Sequence, residues 1–188
     1  MKTRSTILTA GIVLLALASA TEAREAVGGA RAVRGEHGGA ARGAYRVQGD
    51  NGGAAAGSVR GWRGPEGAGG VTARRYRGDG EGNAQGGRIH AYERPNGNTG
   101  YRGARVETHS DGSATRHSEA QRNTQAGTLT RSSDASRDAD GNTHYQRDVT
   151  VNGAGGNTIE SQVTRDNGTV SRTVTCNGGE CTKPTGDQ

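Results

Sequence analysis

The sequence predicts an all-β repeat protein, an open antiparallel strand-turn meander preceded by a Gly/Ala/Arg-rich, largely disordered N-terminal part. Three observations predict it. A glycine returns at Gly38, Gly52, Gly67, Gly82, Gly97, Gly112, Gly127, Gly141, Gly155 and Gly168, a step of 13 to 15 residues. The residue before it is commonly a turn former: Asn51, Glu66, Asn96, Asp111, Asp140 or Asn167. Beyond the first residues, no segment carries a helical period. A short fixed step marks an array in which each unit rests on its neighbours.

The chain opens with Lys2 and Arg4, a mostly apolar run over 7–17, and Ala18-Ser19-Ala20. That is the layout of a secretory signal peptide over 1–20, with cleavage at 23 as the alternative. The apolar run is too short to span a bilayer. The expectation is an exported protein, periplasmic or extracellular, with no membrane span after cleavage. Residues 24–58 are dominated by Gly, Ala and Arg, as in Gly52-Gly53-Ala54-Ala55-Ala56-Gly57. Glycine raises the entropic cost of a strand, so this stretch is expected to be disordered.

Residues 59–182 are expected to form the strand array, in units of about 15 residues, and 183–188 a disordered tail. Within a unit, apolar residues recur seven and nine positions after the marker glycine, at Tyr45/Val47, Ile89/Ala91 and Ala104/Val106, with Val59 at the seventh place. A spacing of two puts both side chains on one face of a strand. The clearest hairpin runs from Thr158 to Thr164, turns over Arg165-Asp166-Asn167-Gly168, and returns from Thr169 to Thr175. Asn-Gly suits a tight turn because both central positions tolerate positive φ, and alternating Val170, Arg172 and Val174 suit a half-solvated strand. A β-solenoid is the competing architecture. It needs an inward apolar residue on each side of every coil, and the unit 112–126 offers only Ala114 and Ala120.

Composition limits what such an array can enclose. Phe is absent. After the leader the large apolar residues are Leu129, Ile89, Ile159, Trp62, five Tyr and eleven Val, too few for a conventional core. All basic residues except Lys2 and Lys183 are Arg, whose flat fork suits carboxylate or phosphate.

Asp140-Gly141-Asn142-Thr143-His144-Tyr145-Gln146-Arg147-Asp148 resembles part of the YD-type repeat of bacterial RHS proteins, with Arg147 in place of the usual tyrosine, and Asn96 to Tyr101 echoes it. RHS chains wind such repeats into a β-sheet shell around a cargo. The resemblance covers one unit and implies strand-turn-strand at this point.

Cys176 and Cys181 are separated by four residues in a chain expected to be exported, which favours a disulfide stapling the end of the last strand. No two of His37, His90, His109, His117 and His144 stand three or four residues apart, and no nucleophile elbow appears. Asp138-Ala139-Asp140-Gly141-Asn142 begins like a calcium loop, but the twelfth position is Val149 where a glutamate is needed. The sequence nominates no catalytic residue, cofactor or metal ligand. Arg60, Trp62 and Arg63, with Arg74, Arg75, Tyr76 and Arg77, interleave cations and aromatics in a manner suited to phosphates and bases.

The reading is a non-enzymatic exported repeat protein, a surface, envelope or matrix component able to self-associate through strand edges. An Arg-mediated module for extracellular polyanions is the alternative: DNA, lipopolysaccharide or acidic polysaccharide. A calcium- or ice-ordering solenoid comes third.

Overall fold

The computed structural model describes residues 23–177. The leader expected over 1–20, Cys181 and the tail over 183–188 lie outside the described residues. Eleven antiparallel strands form one open sheet in chain order. They are β1 (Ala23–Gly35), β2 (Gly38–Gly49), β3 (Ala54–Arg63), β4 (Gly69–Gly78), β5 (Ala84–Glu93), β6 (Thr99–Thr108), β7 (Ala114–Thr124), β8 (Gly127–Arg137), β9 (Thr143–Gly153), β10 (Thr158–Asp166) and β11 (Thr169–Asn177). The meander is thus the architecture. A solenoid would stack every turn at one edge, whereas these turns alternate between the two ends of the sheet.

The turn chemistry explains the repeat. Seven connections share one geometry, in which the amide of a residue donates to the carbonyl four positions on. The donors are Gly49, Gly64, Asp79, Arg94, His109, Asp138 and Gly153. The residue three positions on from each donor is a glycine at positive φ: Gly52, Gly67, Gly82, Gly97, Gly112, Gly141 and Gly156. The marker expected at Gly155 therefore falls on Gly156, whose φ is 83°. Acidic and amide side chains brace several of these turns. Asn51, Asn96 and Asp111 each accept from the amide two residues ahead, as such residues do in loops. The β10–β11 hairpin has the expected register, with Asp166 opposite Thr169. Its two turn residues, Asn167 and Gly168, sit at φ 46° and 94°, the pattern of a type I′ turn.

The sheet has a single layer. Among the described residues no hydrophobic side chain is buried, and Ser133 is the one buried polar residue. With neither face covered, cohesion comes from the ladder and from side-chain pairs across neighbouring strands.

The largest departure from the sequence reading is at the front, where β1, β2 and the start of β3 occupy residues expected to be disordered. Glycine's entropic cost is offset at Gly57 by aromatic cover from the adjacent strand, an arrangement that recurs further along the sheet. Tyr45 pairs with Gly57 across β2 and β3, and a Cβ on Gly57 would lie 2.3 Å from the Tyr45 ring. Trp62 likewise covers Gly70, and Tyr92 covers Gly100. A large ring over a bare backbone restores the packing that the missing side chain forfeits.

Candidate polyanion interface

Residues directly opposite each other in a ladder share a face, and neighbours along a strand alternate. Following the register from strand to strand therefore sorts every strand residue onto one of two faces.

One face, marked by Trp62, collects the arginines. From β2 to β11 it carries Arg46, Arg60, Arg74, Arg88, Arg102 and Arg116, together with Arg42, Arg122, Arg131, Arg137, Arg147, Arg165 and Arg172. It carries no Asp or Glu over those strands. Across the same strands the opposite face holds Arg63, Arg75, Arg77 and Arg105 against Glu93, Glu107, Glu119, Asp134, Asp148, Glu160 and Asp166. A mildly basic composition thus becomes two surfaces of different character.

The sorting leaves the arginines without acidic partners. Among the described residues the ion pairs are Arg105 with Glu107, His117 with Asp134 and His144 with Asp166. All three lie on the opposite face. Every arginine of the basic face except the half-buried Arg147 is exposed. Arg137 donates to the Gly112 carbonyl at 3.0 Å. Small residues such as Ala104, Ser118 and Ser133 separate the cations, and Ser118 and Ser133 are hydrogen-bonded at 2.7 Å.

The seven residues singled out from the sequence divide between the faces. Arg60, Trp62, Arg74 and Tyr76 stand on the basic face. Arg63, Arg75 and Arg77 stand on the other, because they fall at odd offsets from the first set. The structure adds Arg88 and Arg102 on the next two strands to the first group. A signal for these was present, since Arg46, Arg60, Arg74, Arg88, Arg102 and Arg116 recur every 14 residues while the turn glycines of those units mostly step by 15. Tyr92 and Tyr145 also lie on the basic face, and Arg94 reaches over the Tyr92 ring at 5.6 Å from its centroid.

The ends of the sheet differ too. Turns containing Asp50, Asp79, Glu81, Asp111, Asp138 and Asp140 gather at one end, whereas Glu66 and Asn96 go to the other, so the turn residues do not line up along one edge as they would in a solenoid. Asp79 and Asp138 are held below the usual carboxylate range, chiefly by the side-chain amides of Asn83 and Asn142. Asp111 is lowered chiefly by the Ser113 amide. Among the described residues no three His, Cys, Asp or Glu side chains are grouped to hold a metal.

A shallow concavity of about 500 Å³ lies near the opposite end, lined in part by Arg63, Glu93, Tyr101, Gln121 and Asn123. Tyr101 donates to Glu119 at 2.5 Å, which raises the phenol above its usual value. Among the described residues no helix is long and apolar enough to cross a membrane. Cys176 stands at the end of β11 on the basic face, and its expected partner is outside the described residues. Comparison with known proteins finds no match among family models, curated proteins or solved structures.

Proposed function

We propose that this chain is a non-enzymatic exported scaffold, a component of surface, envelope or matrix, that lies with its arginine face against an acidic polymer. The observation that carries the reading is the sorting of charge: thirteen arginines and no carboxylate on one face from β2 to β11. Like charges held side by side repel, and a solvated single-layer sheet has no internal need for them. An extended polyanion neutralises them and releases its own counterions on doing so. Retention of the full chain on a sulfated-polysaccharide column tests the reading. Retention is expected at about 50 mM salt and loss by about 200 mM. Free passage at the lower salt overturns it.

Self-association is a second reading, favoured by the open edges at β1 and β11. An unpaired ladder edge templates another strand. Sedimentation at rising concentration together with thioflavin binding tests it, and a sample that stays monomeric and unstained removes it. The solenoid that would order calcium or ice has no support from an alternating meander.

A further inference from the structure

We infer that the basic face is a binding surface for single-stranded DNA, with the strand lying across β3 to β8 and bases resting on Trp62 and Tyr76. The inference rests on the polyanion reading above and goes further by naming the polymer and the contacts. A generic polyanion needs only cations. This face also presents aromatic rings, placed beside them in a repeated arrangement.

Arg60 and Trp62 are two residues apart on β3, and Arg74 and Tyr76 are two apart on β4, so each cation and its ring share the basic face. Tyr145 and Arg147 repeat the spacing on β9. Trp62 is 52% exposed and Tyr76 50% exposed. On a sheet with no covering layer these rings keep half of their surface open, which matches what unpaired bases require. Base-on-ring stacking tolerates any base, because every base has a π-face. Trp62 is itself seated over Gly70, whose added Cβ would come within 2.8 Å of the indole Nε1. That seat fixes the ring as a platform instead of leaving it free to swing.

The cations form a track across the sheet. Arg60, Arg74, Arg88, Arg102, Arg116 and Arg131 belong to six successive strands, and strands are spaced by about 4.8 Å. Arg74 and Arg88 stand directly opposite each other, Arg60 and Arg102 are each offset from them by two residues along the strands, and Arg116 and Arg131 alternate by four. The cations thus form a staggered band about 24 Å across the six strands, along which long guanidinium side chains reach the phosphates of a single strand of several nucleotides. A duplex hides its bases from a flat sheet, whereas a single strand offers both phosphate and base together.

Trp62 is the only tryptophan in the chain, so its fluorescence reports directly on stacking. The test is titration of the full chain with a thirty-nucleotide oligo(dT), followed by tryptophan quenching and by anisotropy of a labelled oligonucleotide. Quenching is expected, with a salt slope near −4 for about six phosphate contacts. The triple variant R60Q/R74Q/R88Q should shorten that slope by about 2 and weaken binding at least tenfold. R63Q/R75Q/R77Q removes the same net charge from the opposite face of adjoining strands and should bind as the parent does. Trp62→Leu and Tyr76→Leu should each weaken oligo(dT) about tenfold and leave heparin binding unchanged. Trp62→Phe, which keeps a ring over Gly70, should retain most of the affinity by anisotropy.

If heparin binds through the basic face while oligo(dT) leaves Trp62 unquenched and both leucine variants bind it normally, the DNA inference is overturned and the polyanion reading survives. If neither polymer binds at low salt, both fall. Equal losses from the two triple variants would overturn the assignment to one face. Far-UV circular dichroism of each variant separates lost binding from lost fold.

Discussion

Replacing Gly127 and Gly141 by alanine should give two very different losses of stability, although both glycines have positive φ. Gly141 has φ 91° and nothing within 4 Å of an added Cβ, so Gly141→Ala pays only for the backbone conformation. That strain is about 1–2 kcal/mol. Gly127 has φ 133°, and its Cβ would sit 2.0 Å from the Asn152 carbonyl oxygen and 2.9 Å from the Gly153 Cα on β9. Those are backbone atoms and cannot swing aside. Reaching ordinary contact at 3.4 Å requires the start of β8 to leave β9. The Gly127–Gly153 and Thr128–Asn152 pairings are then lost, at about 1 kcal/mol for each ladder hydrogen bond. Gly127→Ala should therefore cost about 3–4 kcal/mol, much of the stability of an ordinary domain. Urea unfolding followed by circular dichroism measures the totals. Hydrogen exchange locates the damage, which should be confined to β7, β8 and β9, because the main contacts of each strand are with its sequence neighbours. Equal losses for the two variants, or exchange raised uniformly from β2 to β11, would refute both the steric argument and the view of the sheet as a one-dimensional array.

Further outcomes follow from the same geometry. Tyr45→Ala should cost about 1 kcal/mol by uncovering Gly57, and hydrogen exchange should place that loss at the front, in β1 to β3. The lowered carboxyls of Asp79, Asp111 and Asp138 contribute stability that is complete above the ordinary aspartate value of 3.8. It disappears as pH falls through their folded values, so acid should loosen the turns at 79–83, 109–113 and 138–142 first by exchange; unaltered turns at pH 2 would contradict this. Tyr101 is shifted the opposite way by Glu119: its contribution is complete below about pH 10 and is lost as pH rises through the folded value, so Glu119→Gln should lower the midpoint of the tyrosinate absorbance titration. If Cys176 and Cys181 are joined as proposed, closing so short a loop stabilises by about 2 kcal/mol. Reductant should then raise exchange in β11 while leaving β4 to β8 unchanged, and mass spectrometry of the oxidised chain should show the cross-linked peptide.

Strand, turn and meander were legible because each is written locally. Asn167-Gly168 sets its own turn, and the glycines at 52, 67, 82, 97, 112 and 141 each take the positive φ that their bulged turn needs. Two features depend on relations between strands and are not written in any one segment. Glycine argues against a strand when weighed within its own segment, whereas Gly57 in the front is covered by Tyr45 from the preceding strand. The two groups of candidate contacts, at 60–63 and 74–77, each divide between the faces, because a pleat sends sequence neighbours such as Arg74 and Arg75 to opposite sides.

By itself the sequence determined that successive segments would be extended, where each would turn, and that few side chains were available to bury. Only the tertiary structure decided which side chains share a surface, because pairing register is a relation between strands. From β2 to β7 the register couples even-numbered residues with even and odd with odd, as in Gly39 with Arg63 or Thr99 with Asn123. An arginine repeat of 14 therefore stays on one face where a repeat of 15 would alternate. At β7–β8 the register couples even with odd, as in Ala114 with Arg137, and the step from Arg116 to Arg131 is 15. The two changes compensate, and the cations remain on the same side of the sheet.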